Sequence, residues 1–298
     1  MLTAVSAISF ALLSNAGGDA LTSLRDNPQV SDQTIEQLRQ YYGLDRPVLN
    51  RYIDWFGSFL TGDLGESFYF RTSVLSLVLS RLWNTILLGT AGLVIAWSIA
   101  IALSYLSALI KKRPLDRSIE LLVLLTASTP RIVLALFALA LFVRSTGTVI
   151  EIRTGSVPSF VVSALVLAVP LIAIFLAQAH NELSNAMKED SIRMARAKGL
   201  SESAIISRHA SRFALNPLLT ILGLSLGGII GGSVVVETIL GWQGVGALMV
   251  TAVRARDVPL VMGIVVATTI AVWLGNSIAE ILQLVNDKRL RDAEANLG

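Results

Sequence analysis

Long apolar stretches constrain this chain more than any other feature: they run at roughly 82–110, 118–143, 157–179, 213–236 and 258–285. A helix needs about 20 apolar residues to cross a hydrocarbon core about 30 Å thick. A soluble domain has no use for several runs of that length. Backbone groups in lipid must bond within their own segment, so all five stretches read as transmembrane helices. Composition agrees, with 15% charged residues against roughly a quarter in soluble domains. Residues 1–14 are apolar too, but as a helix they rise only about 21 Å. They carry no basic leader and are followed by no persuasive cleavage site. They read as a truncated or late-starting first helix. The expected fold is an all-α integral membrane protein with about six transmembrane helices.

Charge sets the topology. Lys111, Lys112, Arg113 and Arg117 crowd one loop, and Lys188, Arg193, Arg196, Lys198, Arg208 and Arg212 another, while Lys288, Arg289 and Arg291 fill the tail. These alternate loops share a basic excess, which places them in the cytoplasm. Residues 15–81, 144–156 and 237–257 then lie outside, and six spans leave both ends inside. The net charge of +3 is spent on topology, so no nucleic-acid partner is implied; the partner it implies is lipid. The chain has no cysteine, which removes disulfides, thiolate metal sites and cysteine nucleophiles. No catalytic, cofactor-binding or metal-ligating constellation is found within the spans.

The first outer segment carries its own signals. Ser31 reads as an N-cap, with Ile35, Leu38 and Tyr42 at helical spacing before a stop at Gly43. A second amphipathic stretch, 48–60, puts Tyr52, Trp55, Phe56 and Phe59 near one face. It reads equally as an interfacial helix lying on the bilayer and as a lid that docks a partner.

The polar stretch 180–212 is the most informative. Within it Glu189, Asp190, Ser191, Arg193, Ala195, Arg196, Ala197, Lys198, Gly199, Leu200 and Ser201 read as a short helix stopped by Gly199 in a left-handed conformation. Ser201 caps a following helix toward Arg212, and Pro217 opens the next span. A short helix held between two spans is a rigid lever suited to a soluble partner; the competing reading is an ordinary basic loop.

The run Ala195-Arg196-Ala197-Lys198-Gly199-Leu200-Ser201, with His209, Arg212, Ala214 and Pro217 after it, resembles the coupling-loop signature of binding-protein-dependent ABC importers, in the form of the dipeptide/oligopeptide permease family. Arg193, Met194 and Ala195 stand where permeases generally carry Glu-Ala-Ala, a departure common in the peptide branch. Gly43–Pro47, Arg51, Tyr52, Trp55 and Gly62–Phe68 are similar to that family's first outer segment, and Asn15–Ala20 resembles its Pro-Gly-Asp turn after the first span, with Gly17 where proline is usual. Gly231–Gly246, with Val236-Glu237-Thr238 and Trp242-Gln243-Gly244, is similar to its Val-Glu-Thr…Trp-Pro-Gly stretch, Gln243 replacing proline. The resemblance implies a type I ABC importer permease fold: a partial first helix and extracytoplasmic segment over 1–81, and a five-helix core over 82–298 with its coupling loop at about 180–212. It implies a second, related permease as partner in a heterodimer, two ATP-binding subunits that carry out hydrolysis, and an extracytoplasmic substrate-binding protein. Peptides are the implied cargo, with nickel chelates or other small solutes as the alternative. None of the five lysines follows a glycine, so the chain has no Gly-Lys-Ser/Thr phosphate loop.

Two features remain within the spans. Gly223, Gly227, Gly228, Gly231 and Gly232 give small residues four apart, which let backbones approach closely. They pack either within this subunit or against the partner permease at the pore. Arg131, beside Ser128, Thr129 and Pro130, is a charge at membrane depth, a position that usually faces water or a partner. It either lines the translocation path or forms a structural ion pair. Glu237 and Glu280 sit near span ends and read as solvated or at the lipid headgroups, and His180 and His209 as ordinary loop residues. An ion-coupled secondary transporter is the main rival, but it would show repeat-related halves or acidic residues at mid-membrane, and neither is present.

Overall fold

The computed structural model describes residues 2–15, 31–41, 43–147 and 156–286. The 16–20 turn, Tyr42, most of the 144–156 loop and the basic tail with Lys288, Arg289 and Arg291 lie outside them. The described residues form helices, in order α1 Leu2–Asn15, α2 Asp32–Tyr41, α3 Val48–Leu60, α4 Val74–Ile110, α5 Arg113–Ser128, α6 Arg131–Thr146, α7 Val157–Ala186, α8 Asp190–Ala197, α9 Glu202–Ile205, a π turn Ile206–Ala210, α10 Ser211–Leu240, α11 Val245–Arg254 and α12 Val258–Asn286. Of these, α4, α7, α10 and α12 are long and apolar enough to cross a membrane, while α5 and α6 pass that test only together.

The single helix expected over 118–143 is in fact two, bent by 94° between Ser128 and Arg131. The cause is local. Proline disfavours the helical region for the residue before it, and Thr129 is extended at φ −90°, ψ 117°. Thr129 Oγ1 donates to the Leu125 carbonyl at 2.7 Å, while the Pro130 carbonyl accepts from Val133 and Leu134 to start α6. A proline alone does not break a helix in this fold. Pro170 lies inside α7 and Pro217 inside α10; the helix starts at Ser211, while the stretch apolar enough to cross a membrane runs from Pro217, as expected, to Leu240. The chain also stays helical through His180 to Ala186, further than the expected limit of 179.

The chain divides into two compact units, residues 1–85 with 243–271, and residues 86–242 with 272–298. The second is built around α7, whose buried Ser163, Leu167, Leu171, Phe175 and Ala179 face α5, α6 and α10. Lipid tails are as apolar as leucine, so close approach rather than escape from water holds such helices together. A Cβ on Gly92 would meet the Ala164 carbonyl at 3.3 Å, and one on Gly89 would strike Ile229 at 2.5 Å. The outward faces leave Leu121, Leu125, Val133 and Phe137 exposed, as a lipid solvent permits.

The first unit joins α1 to α3, then the Gly62–Phe70 turns to the starts of α11 and α12. Ser31 caps α2 as expected, its Oγ accepting from the Thr34 N–H at 3.2 Å. In α3, Tyr52 stacks with Trp55 and Phe56, Trp55 stacks with Phe59, and Phe56 is tilted against Phe59, and the Tyr52 hydroxyl lies 2.9 Å from Ser6 Oγ of α1. Asp257 is fully buried and organises this unit. Its Oδ2 accepts from Ser67 Oγ at 2.6 Å and the Tyr69 N–H at 3.0 Å, and its Oδ1 caps α12 through the Leu260 N–H at 3.1 Å. On the opposite edge the Gln243 carbonyl accepts from Asn84 at 2.8 Å, and Thr85 Oγ1 accepts from the Val245 N–H at 2.8 Å to cap α11.

Candidate functional site

The short helix expected in the polar stretch is present as α8. It ends as its sequence demands. Gly199 takes φ +79°, its N–H donates to the Arg196 carbonyl, and the Leu200 N–H donates to the Ala195 carbonyl. This double closure is a Schellman motif, which needs a left-handed residue and so favours glycine. Ser201 then caps α9, its Oγ accepting from the Ala204 N–H at 3.4 Å. Stop and restart together make a tight corner.

The helix has two faces. Ile192 and Ala195, three apart, are buried among Leu183, Ala186, Ile205, Ile206 and Ala210, with Tyr105 and Ala108 of α4 packed against them. Ala195 therefore points inward, away from any partner. Glu189, Asp190, Ser191, Arg193, Met194, Ala197, Lys198, Gly199 and Leu200 are exposed. Met194, at 61%, is a large apolar side chain set among charges. Arg193 reaches Asp190 at 3.1 Å, a surface pair of little energetic weight. The result is a rigid rod with one face anchored and the other free.

One carboxylate ties this rod down. Glu202 Oε1 accepts from Arg196 Nε at 2.8 Å and Oε2 from Nη2 at 3.3 Å, while Lys111 Nζ approaches Oε2 at 2.9 Å. The hydrogen bonds from Arg196, then that from Lys111, hold the Glu202 carboxyl below its ordinary range. Sequence reading missed Glu202, because its two cations stand 6 and 91 positions away in the chain.

The second group lies at the α5–α6 break. Arg131 begins α6, and its guanidinium lies against Gly232 of α10, where a Cβ would come within 1.6 Å of Nη1. Only a glycine leaves that space. Among the described residues Arg131 makes no ion pair. Ser128 and Thr129 sit beside it as the end of α5. The other glycines of α10 divide by neighbour. A Cβ on Gly223 would meet Ala279 at 2.7 Å and one on Gly227 would meet Val272 at 3.3 Å, both on α12, so these two pack within the subunit. Gly228 and Gly231 have nothing within 4 Å, and with Leu224, 72% exposed, they form an open stripe. Glu237 is not solvated as expected but fully buried, because α10 runs on to Leu240 and turns this residue to the inner face with Ser233 and Val236. Glu280 is exposed. Among the described residues no group of His, Asp or Glu is arranged to hold a metal.

Known proteins match this chain throughout. The family model described as the binding-protein-dependent transport system inner membrane component matches residues 100–292. The oligopeptide transport system permease protein AppB of Bacillus subtilis is 33% identical over 304 residues, covering 97% of this chain and 95% of that protein. The glutathione transport system permease protein GsiC of Shigella flexneri is 28% identical, covering 89% and 86%. Among solved structures, the MetNI methionine ABC transporter in inward-facing conformations matches with a TM-score of 0.59 at 19% identity. That match covers 72% of this chain and 97% of the other. It carries the fold: a type I importer permease.

Proposed function

Because this chain belongs to the family of inner membrane components of binding-protein-dependent transport systems, we propose that it forms half of a translocation pore for peptides and that α8 is its contact with an ATP-binding subunit. The observation that carries the reading is the two-faced α8, buried at Ile192 and Ala195 and exposed at Arg193, Met194, Ala197 and Lys198. The relatives named for oligopeptide and glutathione transport support the peptide class of cargo. A second, related permease completes the pore, two ATP-binding subunits sit on the cytoplasmic side, and a substrate-binding protein delivers cargo outside, where α2 and α3 lie. ATP hydrolysis belongs to the ATP-binding subunits.

The open stripe of Leu224, Gly228 and Gly231 faces the second permease, since small residues let helix backbones approach in lipid. Arg131, seated on Gly232, lines the path and offers a cation to the carboxylate of a passing peptide. The chain has no cysteine, so Met194→Cys creates a unique thiol. In the complete transporter, that thiol is expected to cross-link to an ATP-binding subunit, whereas a cysteine at buried Ile192 is not. Uptake in proteoliposomes is expected to need ATP and the binding protein. Uptake by this chain alone, driven by an ion gradient, would contradict the reading.

A further inference from the structure

The last turn of α4 shows one face to the lever. Tyr105, Ala108 and Lys111 recur every three residues, and each meets the segment that carries α8 and α9. The Tyr105 hydroxyl lies 2.7 Å from Ser203 Oγ, Ala108 packs on the buried cluster beneath α8, and Lys111 Nζ reaches Glu202. Lys111 does so from φ +55°, a conformation that is uncommon for residues other than glycine. Its own N–H donates to the Ser107 carbonyl at 2.9 Å and closes the helix end. Glu202 stands at the first position of α9, and Arg196 in the last turn of α8. Three helices thus meet on one carboxylate, both of whose oxygens are occupied. Beside this junction a cavity of about 510 Å³ opens, lined by Ser104, Ser107, Lys111, Asp116, His180 and Arg196 among others. Buried side chains pack beneath α8, and Lys111 and Arg196 line this cavity as well.

Exposed ion pairs add little to stability, and Lys111, Arg196 and Glu202 are all more than a third exposed. Stability does not explain a forked arginine, a lysine in left-handed backbone and a carboxylate shared between them. Geometry does. A bidentate arginine–carboxylate contact fixes orientation as well as distance.

We propose that Glu202 is a positioning residue that clasps α8 to the end of α4, so that movement of the lever is handed to α4 and not only to α7 and α10, the spans on either side of it. The proposal rests on the reading of α8 as the contact with the ATP-binding subunit. The continuous α4 runs 37 residues, about 55 Å at helical rise, so a shift at its cytoplasmic end is carried along the whole helix. Arg196 anchors the clasp on the lever, Lys111 on α4, and Glu202 joins them.

The test uses the complete transporter in proteoliposomes and reads two rates: ATP hydrolysis stimulated by peptide-loaded binding protein, and peptide uptake. For E202Q, which keeps side-chain length, and K111Q, which shortens it, each removing one charge, stimulated hydrolysis is expected to persist. Uptake per ATP is expected to fall by about fivefold or more, the range of an ordinary coupling energy. A merely structural contact would lower both rates together. In the doubly substituted K111C/E202C protein, a short thiol-to-thiol cross-linker is expected to restore the ratio, and reduction to abolish it again. The Met194→Cys cross-link, repeated in E202Q, separates the two claims. If that cross-link forms as in the unsubstituted protein and uptake per ATP is unchanged in both E202Q and K111Q, the clasp is refuted while the lever reading stands. If the cross-link never forms in either background, the lever reading fails and the clasp with it.

Discussion

Substituting Gly232 by alanine tests the seat of Arg131 with a single methyl group. The added Cβ would stand 1.6 Å from Nη1, 2.6 Å from Cζ and 3.2 Å from Nη2. Ordinary contact needs about 3.5 Å or more, so the guanidinium must retreat by about 2 Å. It is the far end of a flexible side chain, and the strain of an altered rotamer is about 0.5–1.5 kcal/mol. Alanine in place of glycine within a helix returns about 0.8–1.0 kcal/mol. The two terms nearly cancel, and the melting temperature in detergent should stay within a few degrees. Function should not stay. A cation moved from about 4 Å to about 6 Å from a cargo carboxylate loses about 1.4 kcal/mol at an effective dielectric constant near 20, which is about tenfold in the affinity of that contact. Peptide uptake by G232A should therefore fall by about that factor at subsaturating peptide, R131A should fall at least as far, and the double variant no further than R131A. Interacting sites give such non-additivity. If G232A transports normally while R131A does not, or if the two losses simply add, the position of the guanidinium is not what matters and the pathway role is lost.

Three further outcomes follow from the geometry. Asp257→Asn keeps one oxygen acceptor of two; it loses either the cap on the Leu260 N–H or the contacts with Ser67 and the Tyr69 N–H and should destabilise the protein by about 1.5–3 kcal/mol, the worth of a hydrogen bond to a charged group. Thermal unfolding should rank Asp257→Ala below Asp257→Asn, and Asn below the unsubstituted protein; equal melting would show that the buried hub is dispensable. Gly199→Ala meets no neighbour within 4 Å but must adopt φ +79°, a strain of about 1–3 kcal/mol. Because asparagine tolerates that region better, G199N should retain more coupled uptake than G199A. Finally, Glu202 is held below the ordinary carboxylate value of 4.5, first by Arg196 and then by Lys111. A depressed folded pKa gives a contribution that is complete above the unfolded value and lost only as pH falls through the lower folded value. Uptake per ATP should thus be flat from about pH 8 to about pH 5; a loss in E202Q-sensitive coupling centred near neutrality would contradict the clasp.

What the sequence disclosed, and what it withheld, divides by the range of the interaction responsible. Crossings are legible because lipid imposes apolarity around the whole helix over about 20 residues. Caps and stops are legible because their chemistry is local: Ser31, Gly43, Gly199 and Ser201 all end or begin helices as their residue types require. The break at Thr129–Pro130 escaped because hydropathy carries no direction, and because proline is an ambiguous sign: Pro170 and Pro217 lie inside unbroken helices. The spacing of the α10 glycines announced close approach but not the neighbour. Gly223 and Gly227 meet α12, Gly232 meets an arginine, and Gly228 and Gly231 stay open.

Charges withheld most, and for a physical reason. In a chain with only 15% charged residues, loop cations suffice to set topology, and their clustering can be counted. Any charge turned inward needs a specific partner, since an uncompensated buried charge is costly. That partner can come from anywhere in the chain. The buried Asp257 finds Ser67 across 190 positions, and the partly exposed Glu202 likewise finds Lys111 across 91, distances at which no spacing rule operates. Arg131 finds a glycine instead of a carboxylate among the described residues. In the proposed reading, a passing anion or a group on the second permease meets that charge. The G232A and R131A pair distinguishes them, because retreat from an intersubunit carboxylate would weaken assembly, whereas retreat from cargo would leave the purified complex intact and lower uptake alone.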